Sequence, residues 1–376
     1  MSFLRKGLLV LTLLIPPAWA CAMPKINNSP ALQSYVTQQR ENLGLVGLGV
    51  MVMRDGEIVA SAVAGERKHR SGVLLTAEDK WHIGSITKSI TATVIARLVE
   101  RDELSWNTTI GDVLGDSMQI SDSWQGITLE QLLTHTSGAS NRLRPSLSSL
   151  FRSFEEGAEL VETRNTVVEK FMVKEPVAPP GSQFLYSNGG FVIAGVMAEK
   201  LTGLSWEDLV RREIFTPLGI KSGGFGHPQD PHNKIAQPYA HKKTLGFLHA
   251  KKSDPVVLIG PAGSIHMTMA DLLLYAKDHL AGKAGSGKLL KPETYQKLHT
   301  PMLDNYAFGW VVHPVEKWAN GPVIWHNGSN GYWYTLLALM PNSNTIIVVA
   351  SNDGKLAFTN DMGWPLLEGI ARLIDP

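Results

Sequence analysis

"WHIGSITKSITATVIARL", residues 81–98, starts as a tight turn of small residues and ends as an apolar-striped helix. Ile86, Ile90, Val94 and Leu98 recur every four residues, which predicts a helix from Ser85 onward with one buried face. Ser85 then sits at the helix N-terminus, and Lys88 lies one turn on, on the same side. A serine there is often a plain cap. It is also where a hydroxyl can become a nucleophile, if a base takes its proton and backbone N–H groups at the positive end of the helix hold a developing oxyanion. A lysine serves as that base when burial or a neighbouring cation lowers its pKa. No other serine in the chain has lysine three residues later.

Outward from this stretch, the chain reads as a sheet assembled from its two ends. Ser29-Pro30 has the form of an N-cap followed by proline at the first helical position, so a helix is expected to about Glu41. "LVGLGVMVMRDGEIVASAVAG" places Asp55-Gly56, a type I′ hairpin signal, between two β-type runs. "GYWYTLLALM" and "NTIIVVASN" form a second pair joined by Pro341-Asn342-Ser343-Asn344, and a helix from about Asp361 to Leu373 closes the chain. The expected fold class is α/β (α+β): one antiparallel sheet flanked by helices, with a mainly helical insertion. The sheet part spans residues 23–105 and 256–376, and the insertion residues 106–255. A cleft between them is a preferred pocket location. Residues 227–243 read as a surface loop near that cleft.

Composition narrows the function. The chain of 376 residues is 44% hydrophobic and 18% charged, with a formal net charge of +1. That balance carries neither a nucleic-acid stripe nor a polybasic membrane patch. Arg5-Lys6, the apolar run Gly7–Ile15 and small residues around Ala18-Trp19-Ala20 have the form of a signal peptide, residues 1–22, cleaved after Ala20 or Ala22. An exported, periplasmic or secreted protein is expected, with no transmembrane segment after leader removal. Cys21 is the only cysteine, which excludes an internal disulfide or a cysteine-based metal site. Ala18 departs from the leucine usual three residues before a lipidated cysteine, so an anchor at Cys21 is the lesser alternative. "GKAGSGKL" (282–289) has Leu289 where a P-loop needs Ser or Thr, and reads as a surface loop. His227, His232, His241 and His249 lack helical ligand spacing, so neither metal nor cofactor is expected.

Two further stretches carry chemistry. Tyr186-Ser187-Asn188 precedes a helical pattern and can aim a phenol and a carboxamide into one cleft. His326-Asn327-Gly328 ends a β-like run, where Gly328 lets a substrate backbone approach and the Ser329 N–H can serve as an oxyanion donor.

Ser-x-x-Lys, Tyr-x-Asn and His-x-Gly in this chain order resemble the β-lactamase-related serine hydrolases: class C β-lactamases, penicillin-binding DD-peptidases, D-aminopeptidases and the esterases of that fold. "LEQLLTHTSGAS" (129–140), "GPAGSIHMTMADLLLYA" (260–276) and "YAFGWVV" (306–312) are similar to the family too, His135 in the first at a structural rather than catalytic position. The resemblance implies that Ser85 is the acylated nucleophile and that Lys88 helps deprotonate it. Tyr186 is implied as general base and then acid, Asn188 as a contact to the acyl side of the substrate, and the Ser85 and Ser329 N–H groups as the oxyanion hole. Where class C enzymes have Lys-Thr-Gly, this chain has His326-Asn327-Gly328, and a neutral imidazole attracts a carboxylate far less than an ammonium does. The expected substrate is a small molecule or peptide of cell-wall or D-amino-acid type, with a β-lactam as ligand or slow substrate. A carboxylesterase of the same fold, or a penicillin- or peptide-binding module that acylates without turnover, are the alternatives. The sequence specifies no oligomeric state.

Overall fold

Asp55 and Gly56 take φ of 52° and 79°, the left-handed pair that a type I′ turn requires, and join β1 (Gly47–Arg54) to β2 (Glu57–Gly65). The computed structural model describes residues 29–141, 143, 157–228, 237–244, 247–251, 257–358 and 363–374. The expected leader, with Cys21, lies outside the described residues, as do residues 229–236 of the expected loop. In chain order the remaining strands are β3 (Lys80–His82), β4 (Gly224–Phe225), β5 (Ala240–Thr244), β6 (Phe247–Lys251), β7 (Ile265–Thr268), β8 (Val311–Glu316), β9 (Gly321–Ser329), β10 (Tyr334–Met340) and β11 (Thr345–Ser351).

Six of them form the antiparallel sheet in the order β2-β1-β11-β10-β9-β8, so the two ends of the chain pair inside it with Val50 opposite Val349. The tips of the two hairpins are tied together. Asp55 N–H donates to the Asn344 carbonyl at 3.1 Å, and Asn344 Nδ2 donates to Asp55 Oδ1 at 3.0 Å. Both faces of the sheet are covered, which is why β11 reads as an unbroken apolar run rather than an alternation. Ile347 and Val349 face a core shared with the Pro30–Leu43 and Trp364–Ile374 helices, through Leu32, Val36, Leu367 and Ile370. Ile346 and Val348 face the larger core, with Trp81, Ile90, Val94 and Leu272.

The helix that follows Ser85, Thr87–Glu100, is buried along nearly its whole length rather than on one face. Four-residue spacing registers only the aliphatic side. The other sides carry Ser and Thr whose hydroxyls are satisfied by backbone carbonyls: Ser89 by Ile86 at 2.8 Å, Thr91 by Pro261 at 2.7 Å and Thr93 by Ser89 at 2.9 Å. Such pairing lets a polar residue enter a core at little cost.

One local expectation fails. Residues 240–244 are a strand paired with β6, not a loop, and His241 is fully buried. The segment is organised by docking: His241 N–H donates to the Asn352 carbonyl at 2.9 Å, an acceptor more than a hundred residues away. Among the described residues no helix is long and apolar enough to cross a membrane.

Candidate active site

Ser85 lies in a single 3-10 turn, Gly84–Ile86, one step before the helix proper, and its hydroxyl makes no capping hydrogen bond. The turn is pinned from two sides. Ile83 N–H donates to the Ile265 carbonyl at 2.9 Å, and Thr335 Oγ1 donates to the His82 carbonyl at 3.0 Å. Ser85 is therefore held, half-buried, with its hydroxyl uncommitted to the helix.

Lys88 is wholly buried, and its Nζ has three oxygen neighbours: Ser85 Oγ at 3.0 Å, Asn188 Oδ1 at 2.7 Å and the Ala262 carbonyl at 2.7 Å. No carboxylate is among them. Burial holds the amine well below its ordinary pKa. A neutral amine has two N–H donors and one lone pair. The Asn188 and Ala262 oxygens can only accept and take two of its N–H groups, and the third position on Nζ faces Ser85 Oγ, which is where the deprotonated amine presents its lone pair.

Tyr186 is hydrogen-bonded to Ser85, and burial pushes its phenol up to about 12, so it carries its proton at neutral pH. The phenol therefore lies beside the Ser85 hydroxyl that Lys88 also contacts. Its ring centroid lies 4.9 Å from Lys88 Nζ. Asn188 opens the Asn188–Thr202 helix, capped by Ser187, whose side chain accepts from Gly190 N–H. Asn188 N–H donates to Asn141 Oδ1 at 3.1 Å.

The end of β9 closes the site. A Cβ on Gly328 would lie 2.5 Å from Ser85 N and 2.8 Å from Gly84 C, and Gly84, at φ +51°, would collide through a Cβ with Ser329 N. Two glycines thus bring the amides of Ser85 and Ser329 side by side. The Ser329 hydroxyl is occupied within its own turn, donating to the Trp333 carbonyl at 2.6 Å and accepting from Gly331 N–H at 2.9 Å. Gly328→Ala is expected to push β9 away from the Ser85 turn, since the atoms nearest the new methyl are backbone and cannot yield as a side chain would. A displacement of about 1 Å costs on the order of 10²-fold in rate. Acylation kinetics beside a thermal melt would check this, and an unchanged rate would refute it.

His326 is buried, and its imidazole is spoken for. Nδ1 lies 2.5 Å from the Asn327 carbonyl, to which it must donate, so Nε2 accepts from the Tyr306 hydroxyl at 3.2 Å. Burial lowers its pKa to about 3, and it stays neutral at any ordinary pH. The ring therefore offers neither a charge nor a free N–H to a carboxylate. The structure brings Ser85, Lys88, Tyr186, Asn188, Gly328 and Ser329 together, with His326 one layer behind them.

Three participants carried no sequence signal of their own. Ala262 acts through its carbonyl, Asn141 through a contact to a backbone amide, and Tyr306 through a histidine, though Ala262 and Tyr306 lie in the family-like stretches noted above.

Comparison with known proteins agrees with this architecture. The chain matches the Beta-lactamase family over residues 32–371. It is 26% identical over 350 residues to penicillin-binding protein 4 of Amycolatopsis lactamdurans, covering 88% of this chain and 87% of that protein. The octameric penicillin-binding protein homologue from Pyrococcus abyssi superposes with a TM-score of 0.75 at 22% identity, over 92% of this chain and 77% of that one. The D-amino acid amidase from Ochrobactrum anthropi SV3 superposes with a TM-score of 0.73 at 17% identity, over 92% and 98%. With the family match running from the first helix to the last, this chain belongs to the Beta-lactamase family of serine hydrolases.

Proposed function

We propose that this chain is an exported hydrolase that forms an acyl-enzyme on Ser85 and releases it to water, acting on amides and small peptides of D-residue or cell-wall type. The observation that carries the reading is a fully buried lysine 3.0 Å from Ser85 Oγ with no carboxylate among its hydrogen-bond partners, an environment that favours the neutral amine able to take the Ser85 proton. Ser85 Oγ bonds to the acyl carbon as its proton passes to Lys88, and the Ser85 and Ser329 amides hold the oxyanion. The bond to the leaving group then breaks. Tyr186 gives that group a proton and regains one from the Lys88 ammonium, and water repeats the sequence in reverse to free the acid. The Asn188 amide nitrogen is left to contact the acyl side of the substrate. The chemistry requires no metal or organic cofactor. The leader-like residues 1–22 support export.

The neutrality of His326 favours a second reading, a carboxylesterase. With no charge in the imidazole, the site favours amides and esters over bonds followed by a free carboxylate. The similarity to a D-amino acid amidase supports the amide reading.

The test is intact-protein mass over time after adding a penicillin, with Ser85→Ala as control. A lasting Ser85-dependent adduct marks a penicillin-binding peptidase or a non-turnover binding module. A brief adduct with penicillin consumed marks a lactamase. No adduct turns the search to D-aminoacyl amides and esters, and if these too leave Ser85 unlabelled the reading fails.

A further inference from the structure

His135 is the residue that the mechanism above does not use and the structure strains to keep. It takes φ +60°, a left-handed conformation that a non-glycine side chain enters at a cost of about 1–3 kcal/mol. It is fully buried. Strain of this kind persists only where the surroundings over-determine it, and here the surroundings are the chain on either side of Tyr186. The His135 carbonyl accepts from Leu185 N–H at 2.8 Å. Its Nδ1 accepts from Ser187 N–H at 3.1 Å. One residue thus takes the amide protons on both sides of Tyr186. Its ring also lies against the tyrosine, with centroids 4.3 Å apart and planes at 43°.

The proton on this histidine can be placed. A backbone amide only donates, so Nδ1 carries the lone pair. Burial holds the ring neutral, so the proton is on Nε2. That nitrogen is buried and has no hydrogen-bond partner among the described residues. The ring is packed among aromatic side chains, with Phe191 at 5.1 Å and Tyr306 at 4.6 Å between centroids. A buried donor left so poorly paired, in a strained backbone, is retained for what its other nitrogen does.

We propose that His135 is a positioning residue for Tyr186, holding the 185–187 backbone and the tyrosine ring so that the phenol stays on Ser85. The proposal rests on the acyl-enzyme reading above. It also predicts a selective defect. Tyr186 delivers a proton to the leaving group, which an alkoxide requires and a nitrophenolate does not.

The experiment compares kcat/KM for p-nitrophenyl acetate and ethyl acetate in the unmutated chain, His135→Gly and His135→Asn, each with a thermal melt. Glycine accepts the left-handed backbone but supplies no acceptor and no ring. Asparagine also tolerates positive φ and sets its Oδ1 near the place of Nδ1. His135→Gly is expected to lose about 10²-fold on the ethyl ester and less than about fivefold on the nitrophenyl ester. His135→Asn is expected to recover most of the ethyl-ester loss. Equal losses on both esters, no loss at all, no recovery with asparagine, or an unmutated chain that cleaves only the nitrophenyl ester would each overturn the assignment. If the unmutated chain shows no Ser85-dependent cleavage of either ester and neither penicillin nor D-aminoacyl amides and esters label Ser85, the acyl-enzyme reading itself falls, and this one with it.

Discussion

Lys88→Met is expected to lower acylation of Ser85 by about 10⁴-fold while leaving the protein folded at neutral pH. Methionine keeps the length and apolar stem of the side chain but has no basic nitrogen, so the Ser85 proton loses its acceptor. The cost to stability comes from two oxygens. Asn188 Oδ1 and the Ala262 carbonyl each lose a donor, at about 1–3 kcal/mol apiece for a buried group. Against this stands the removal of a polar group that burial penalises, so the two effects oppose and the net change at pH 7 is small. Their pH dependence separates them. The folded-state pKa of Lys88 is depressed well below its unfolded value of 10.5, so the unfolded chain binds the extra proton between the two, and stability rises with pH across that window. Methionine has no such term. Urea midpoints should therefore show the unmutated chain gaining on Lys88→Met as pH rises from 7 to 10. A difference that stays flat over this range, or moves against the unmutated chain, would mean that Lys88 is charged in the folded state, which would also remove it as the base.

Acid should unfold this protein early. His266, His279 and His326 are each held at about 3 by burial, and His135 and His299 are also held well below the ordinary value by burial. Each is a base whose folded pKa lies under its unfolded one. The stability it contributes is complete above about pH 6.5 and is lost as pH falls towards about 3. Every proton taken up only by the unfolded chain is worth about 1.4 kcal/mol per pH unit, so the three with stated values together give a slope of about 4 kcal/mol per unit. Glu213, held at about 2 by three arginines despite burial that opposes it, acts in the same direction below pH 4.5. Asp79 and Glu199, raised by burial, act against it. Domains of ordinary stability hold about 5–15 kcal/mol, so the urea midpoint should fall steeply below pH 6. A midpoint flat from pH 7 to 4.5 would show that these rings are already charged or exposed.

What the sequence disclosed, and what it did not, follows the range of the forces involved. Asp55-Gly56 announces its turn because positive φ is a local demand that few residues meet. Ser85, Lys88, Tyr186 and Asn188 stand out by spacing, and spacing survives in a string. The 3-10 turn at Ser85 was less legible, because only the packing of β9 against Gly84 decides that the serine is not a cap. The charge state of His326 depends on burial and on Tyr306, twenty residues away. Ala262 works through a carbonyl that every residue type has. The strand at 240–244 follows from a carbonyl at Asn352, so its polar, lysine-bearing sequence gave no sign of it.

The pairing of β1 with β11 also governs when this molecule can come into being. Val50 and Val349 are about 300 residues apart in sequence, and the ladder that joins the first hairpin to the rest of the sheet forms only once both have been made. Synthesis runs from the N-terminus, so the first hairpin and the Ser85 helix must wait, with their apolar sides uncovered, until almost the whole chain has left the ribosome. Contacts of such sequence separation slow folding, because loop-closure entropy is spent before the contacts return anything. Catalytic competence arrives late and all at once. A truncation that removes β11 would leave every catalytic side chain in place along the chain and none of them in position.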